Sequence, residues 1–233
     1  MNHCLVTGSA SGIGLALVDK LLAAGWRVDG VDRVAGPPGA NARYTGHQID
    51  LADTAACREF ATALRGRGIT AFVHCAGIMR TGGVSDTDGA AADLLWRIHV
   101  AAPMTLMHAL ADELPDRHGR VVLVSSRAVL GRAGRAAYAA SKAAQIGMAR
   151  SWAAELIGRD VTVNTVAPGA VDTPMLSGPA RGAPARVQLP LGRLIRPDEV
   201  AATIAFLLGS DAGAITGQTV YVCGGAEIEI AAF

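Results

Sequence analysis

The chain has 233 residues, 51% of them hydrophobic and 4% aromatic, with a formal net charge of +1 at pH 7. That length is ample for one buried core, and a near-neutral balance without a basic block argues against nucleic acid or anionic lipid as a partner. No apolar run approaches the roughly 20 residues that span a bilayer, and the start MNHCLVTGSASG lacks a signal-peptide pattern, so a cytoplasmic protein with no membrane partner is expected.

In chain order, residues 3–7 read as a strand. Residues 13–24 read as a helix, with Ile13, Leu17, Leu21 and Leu22 on one side and a stop at Gly25. Residues 27–31 form a strand ending at Asp32, and 44–49 a third strand. A helix over 54–65 stops at Gly66, and a strand covers 71–75. A long helix is predicted over 90–114, interrupted or tolerated at Pro103. Residues 120–125 are a strand, 136–157 a helix and 161–166 a strand. The Gly-, Pro- and Arg-rich stretch 175–193, with Gly178, Gly182, Pro184, Arg181 and Arg186, reads as a surface loop and a short substrate lid. Residues 197–208 are a helix opened by a proline, where the missing N–H does no harm, and 219–222 a last strand.

Strands and helices alternate, and the strands are too apolar to be half solvated. This predicts a doubly wound parallel sheet, an α/β/α sandwich in one domain over 1–233, with the ligand crevice at the carboxyl ends of the strands. Cys4, Cys57, Cys75 and Cys223 show no C-x-x-C spacing and read as small buried hydrophobes. The six histidines show no H-x-x-x-H pair, so no metal site is expected.

Between the first strand and helix lies Thr7-Gly8-Ser9-Ala10-Ser11-Gly12-Ile13-Gly14. Gly8 permits a tight turn, while Gly12 and Gly14 let backbone approach a pyrophosphate at the helix N-terminus. An ordinary glycine-rich turn is the plain alternative, but the strand–helix placement is what a dinucleotide loop requires. Asp32 ends the second strand 18 residues after Gly14, close to the ~20 expected for an acid that binds ribose hydroxyls. A carboxylate there repels a 2′-phosphate and points to NAD over NADP, although Arg33 follows it. Tyr138 and Lys142 are one helical turn apart on one face. An ammonium beside a phenol favours the phenolate and brings tyrosine toward general acid–base work. Ser125 and Ser126 end the preceding strand at the same sheet edge.

Together these residues resemble a short-chain dehydrogenase/reductase of the single-domain type. The glycine loop resembles that family's TGxxxGxG, and Asp50-Leu51 its adenine-contacting Asp-aliphatic pair. His74-Cys75-Ala76-Gly77 stands where the family has NNAG, and YAASK, Tyr138 to Lys142, matches YxASK. VAPGAVDTPM resembles the stretch after the sixth strand, with Pro168, Gly169, Val171 and Thr173 near the nicotinamide, and ITGQTVYVCGG the closing strand. The resemblance implies a Rossmann-type sheet and a nucleotide held by Gly8, Ser11, Gly12, Ile13, Gly14, Asp32, Asp50, Leu51, Ala76 and Gly77. It also implies a Ser, Tyr and Lys at the active site, a small alcohol or carbonyl substrate, and a homotetramer or homodimer.

On this reading the protein is an NAD-dependent oxidoreductase that interconverts a secondary alcohol and a ketone. Tyr138 is its general acid/base, and Lys142 holds the nicotinamide ribose. Counting from the strand selects Ser126 as the active serine. Counting the family's usual 13 residues back from Tyr138 selects Ser125; the strand count is preferred because the following loop can lose a residue. The family's helix-borne asparagine, which helps hold a proton-relay water, falls on His99. Either that imidazole serves the relay, or it is a buried histidine that satisfies a backbone group. A non-catalytic nucleotide-binding regulator and an epimerase with tightly held NAD are the rival readings.

Overall fold

The computed structural model describes residues 2–34, 41–177 and 189–227. Seven parallel strands form one sheet: β1 (His3–Thr7), β2 (Arg27–Asp32), β3 (Tyr44–Gln48), β4 (Ala71–His74), β5 (Arg120–Val124), β6 (Thr162–Pro168) and β7 (Thr219–Val222), in the order β3-β2-β1-β4-β5-β6-β7. Helices α1 (Gly12–Ala23), α2 (Thr54–Ala63), α3 (Gly89–Trp96), α4 (Ala102–Leu110), α5 (Ala136–Leu156), α6 (Pro174–Ser177) and α7 (Pro197–Leu208) connect them. Successive strand side chains point to opposite faces, so every central strand feeds two cores. Leu5, Phe72, Val121 and Val163 meet α2, α4 and α5 on one face. Val6, Val73, Val122 and Val166 meet α1 and α7 on the other. This is the expected three-layer α/β/α arrangement. The strand order reverses between β1 and β4, which opens a crevice above their carboxyl ends.

In the helix expected over 90–114, the last segment, α4, ends at Leu110 rather than at 114. That helix is also interrupted, one of the two outcomes expected at Pro103, by a π turn at Arg97–Ala101, with α3 before it and α4 after. The cause is Pro103 near the start of α4: proline has no N–H for the carbonyl four residues back, and its ring crowds that turn. In the stretch expected to be a surface loop over 175–193, residues up to Ser177 form α6, and Leu189 is buried in the α1/α7 core. A four-residue helix is too short to show periodicity. Residues 178–188, with Gly178, Arg181, Gly182, Pro184 and Arg186, lie outside the described residues. One smaller difference concerns β6, which runs past the expected end to Pro168. The amides of Thr165 and Gly169 donate toward β7, so the Pro168 nitrogen faces the β5 side, where Val124 already ends the pairing.

The nucleotide half of the sheet is tied together by a buried carboxylate. Asp29, mid-β2, is fully buried and faces His3 Nε2 at 2.6 Å, His47 Nε2 at 2.6 Å and the Arg67 guanidinium at 2.7 Å. His3 Nδ1 also faces the Arg67 carbonyl at 3.1 Å. The cluster joins β1, edge strand β3 and the loop after α2 to β2, three residues before Asp32. Burial alone would raise the Asp29 carboxyl, but hydrogen bonds from His3, His47 and Arg67 outweigh it and hold the group well below the usual carboxylate range. Its contribution is therefore complete above the ordinary aspartate pKa of about 4 and is lost as pH falls below that toward the lower folded-state value. Asp29→Ala is expected to cost about 3 kcal/mol, as when one partner of a buried ion cluster is removed. Urea unfolding measures it, and the variant's stability should fall less steeply below pH 5 than that of the parent.

Candidate active site

The glycine loop closes tightly between β1 and α1. Gly8 has φ +69°, and a Cβ there would stand 2.8 Å from the Ala76 backbone. A Cβ on Gly14 would stand 2.0 Å from the Gly8 carbonyl oxygen, so only glycine lets the helix start this close to the strand. The Ser11 side chain makes no capping bond. The first amides of α1 therefore present donors to the cleft, a ready anion cradle. That cleft is lined by Gly8, Ser11, Gly12, Ile13 and Gly14 on one side, Asp32 at the end of β2, Asp50 and Leu51 after β3, and Ala76 and Gly77 after β4. Asp32 is held in place by amides: its oxygens accept from Ala10 N at 3.1 Å and Val34 N at 3.3 Å.

A second cavity continues the first, sharing Ile13, Cys75, Gly77, Ile78, Thr173 and Met175 with it. Its lining includes Tyr138 and Lys142 from α5, Ser125 and Ser126 after β5, and Pro168, Gly169, Val171 and Thr173 after β6. The sixteen nucleotide residues expected from sequence, Tyr138 and Lys142 among them, thus face one groove, and Ser126 faces it too. Met79, Leu176 and Leu189 add apolar wall; Arg127, Arg132 and Arg135 add positive charge. Among the described residues no group of three or more His, Cys, Asp or Glu is placed to hold a metal.

The two serines are distinguishable. Ser125 is buried, and its hydroxyl donates inward to the Lys142 carbonyl at 2.7 Å. Ser126 caps the short turn Arg127–Leu130, accepting from Ala128 N at 3.1 Å. Its own proton remains available to an oxygen in the groove.

Lys142 is 4% exposed and Tyr138 5%. The ammonium donates to Val124 O at 2.8 Å and to Gln145 Oε1 at 3.3 Å. Burial pushes Lys142 down to about 7, with Cys75 opposing weakly. Cys75 itself is pushed up to about 12 by burial and stays a neutral thiol.

Behind this pair lies the π turn, and His99 sits in it, outside the groove lining. The turn leaves two carbonyls without their usual α-helical partners. Ala102 N bonds Arg97 O rather than Ile98 O, and Pro103 has no N–H for His99 O. Side chains from other elements take both. His74 Nε2 donates to Ile98 O at 3.1 Å, and Gln145 Nε2 donates to His99 O at 2.9 Å. Because His74 Nε2 carries the proton, Nδ1 accepts from the Thr7 hydroxyl at 2.9 Å. The His99 ring is equally committed: Nε2 accepts from Ile78 N at 3.1 Å, and Nδ1 donates to Ser141 Oγ at 2.9 Å. Ser141 then donates to the Tyr138 carbonyl, and the His99 and Tyr138 rings meet edge to face at 5.6 Å. Burial, and then the nearby Lys142 charge, hold both imidazoles neutral: His74 falls to about 3, the Ile98 bond opposing, and His99 goes well below its ordinary value. Gln145 and Ser141 were not among the residues expected at the site. The one sequence signal for Gln145 is an amide three residues after Lys142 in an otherwise small or apolar stretch of helix.

A family model described as enoyl-(acyl carrier protein) reductase matches residues 8–227. The short-chain reductase protein NovJ of Streptomyces niveus is 35% identical over 95% of this chain and 92% of its own length. The 3-oxoacyl-[acyl-carrier-protein] reductase FabG of Escherichia coli is 33% identical over 95% of each chain. A crystal structure of a short chain dehydrogenase from Burkholderia cenocepacia in complex with NADP superposes with a TM-score of 0.84 at 32% identity, over 97% of this chain and 98% of that one. With the same sheet, glycine loop and Tyr–Lys pair along nearly its whole length, this chain belongs to the short-chain dehydrogenase/reductase family and is an NAD(P)-dependent oxidoreductase.

Proposed function

We propose that the protein interconverts a secondary alcohol and a ketone, with Tyr138 as the proton-transfer group. The observation that carries this is the continuous groove, with an anion cradle and Asp32 at one end and buried Tyr138 and Lys142 at the other. The tight glycine turn, in which a Cβ at Gly8 or Gly14 would strike neighbouring backbone, brings the first amides of α1 to the groove, and this arrangement fits a dinucleotide. When bound, its nicotinamide supplies or accepts the hydride. Ser126 donates to the substrate oxygen and orients it. Tyr138 takes the hydroxyl proton in oxidation and returns it in reduction. Lys142 favours the phenolate and holds the ribose through its remaining N–H. The relatives' activities put 3-oxoacyl thioesters first in a substrate panel. Exposed Trp96 and Met104, at 53% and 49%, offer an apolar face for a homo-oligomer such as a tetramer.

Tyr138→Phe is expected to keep nucleotide binding and lose ~10²-fold or more in turnover, the scale of general acid–base catalysis. Binding by NADH fluorescence and steady-state rates measure the two. Near-normal turnover of the variant overturns the assignment, and a parent that binds nucleotide without turning over any substrate favours the regulator reading.

For the cofactor, the amide-held Asp32 carboxylate supports NAD: it accepts from ribose hydroxyls and repels a 2′-phosphate. The expected result is a higher kcat/KM with NAD than with NADP, and a ratio shifted toward NADP in Asp32→Ala. A parent enzyme that prefers NADP sinks this reading.

His99, with both ring nitrogens engaged, serves by position: it ties the loop at Ile78 to Ser141 beneath Tyr138. His99→Ala strips partners from Ile78 N–H and Ser141, and is expected to lower kcat by about 10-fold or more, the scale of one to two buried hydrogen bonds. His99→Asn, which keeps an acceptor and a donor, should recover most of it. An alanine variant with parental kcat across pH shows that turnover does not depend on this tie.

A further inference from the structure

Lys142 poses a local problem that the Tyr–Lys pattern does not solve. An ammonium has three N–H donors, and here it is buried. One donor goes to Val124 O at 2.8 Å and one to Gln145 Oε1 at 3.3 Å. The third faces the groove, which Lys142 lines. The same Gln145 amide donates from its other end to His99 O, the carbonyl that Pro103 cannot serve. Gln145 itself is fully buried, so its two ends meet two polar groups that would otherwise need a water between them. The other ionisable groups around the ammonium are Cys75 and His74 at the end of β4, His99 in the π turn and Tyr138 one turn earlier on α5. Burial holds His74, Cys75 and His99 neutral, and none of the four offers a carboxylate.

We propose that Gln145 is a positioning residue for Lys142: its amide bridges the ammonium and the His99 carbonyl, and so aims the remaining N–H into the groove. The bridge is a side chain fixed on the same helix, three residues away. It also ties the helix that carries the Tyr–Lys pair to the π turn. The inference rests on the proposed catalytic role of the pair, and its test reads Lys142 directly.

The chain has two lysines, Lys20 and Lys142, so protein labelled with ¹³Cε-lysine gives two side-chain signals, with exposed Lys20 as an internal reference. The variants are Gln145→Met, which keeps the volume and loses both bonds, and Gln145→Glu, which sets a carboxylate beside the ammonium. In the methionine variant the charged form loses an acceptor, and the Lys142 titration is expected to move down by about one pH unit, the size of one charge-assisted hydrogen bond. In the glutamate variant it should move up by about one unit or more. The alkaline limb of the kcat profile should follow in the same two directions. A residue that merely fills space would not move the titration in opposite senses. Lys142 titrating at the parental pH in the folded methionine variant overturns the proposal, and thermal melting establishes that it is folded. Should the glutamate variant fail to fold, the methionine variant decides alone. Shifted titrations in a protein without turnover keep this inference and remove the functional reading; turnover with unshifted titrations does the reverse.

Discussion

The buried Lys142 ammonium organises the end of the groove where Tyr138 lies. Lys142 is out of water, and an ammonium there is tolerated only where its donors are met. Meeting them draws in the end of β5 through Val124, the next turn of the site helix through Gln145 and, through that amide, the π turn. The same burial lowers the lysine to about 7, so its charge is responsive near neutrality. A charge of that kind suits the proton transfer that we propose for Tyr138.

The π turn is the structural counterpart of that demand. Pro103 denies a hydrogen bond to the carbonyl of His99, and the wider turn releases that of Ile98. Freed carbonyls in a buried place must find donors. They find them in Gln145 and His74, so two residues that look unrelated in the chain answer one backbone irregularity. His74 and His99 also clasp each other's segments: one reaches from β4 to the helix, the other from the helix to the loop after β4. The departures from the family's asparagines are therefore a linked set, held neutral by burial.

At the other end of the groove the problem is reversed, because there the protein must present donors to an anion. Glycines at positions 8 and 14 allow backbone contacts that no side chain would permit, and the uncapped first turn of α1 supplies the amides. The Asp29 cluster pins β2 from below, and Asp32 projects from the end of that pinned strand. Strands thus position both ends, and the segments after β4, β5 and β6 line the groove between them.

Much of this was legible in the chain. Every strand and the main helices follow from apolar runs, helical spacing and glycine or proline stops, because those patterns report local periodicity and the side of each element that must leave water. The glycine loop, Asp32 and the Tyr138–Lys142 pair were legible from spacing taken together with their place between strands and helices. Three things needed the folded molecule. The break before Pro103 depended on which carbonyls found other partners, a contact between residues some 20 to 50 positions apart in the chain. The serines were ambiguous by counting, and became distinct only when Ser125 turned inward to Lys142 O. Gln145 showed in the chain only as an amide one turn after Lys142, since its second partner is a carbonyl 46 residues away. Local sequence determines which elements form and which face they bury; hydrogen-bond partners of buried polar groups are decided by how those elements pack, because each such group must be satisfied by whatever the fold brings beside it.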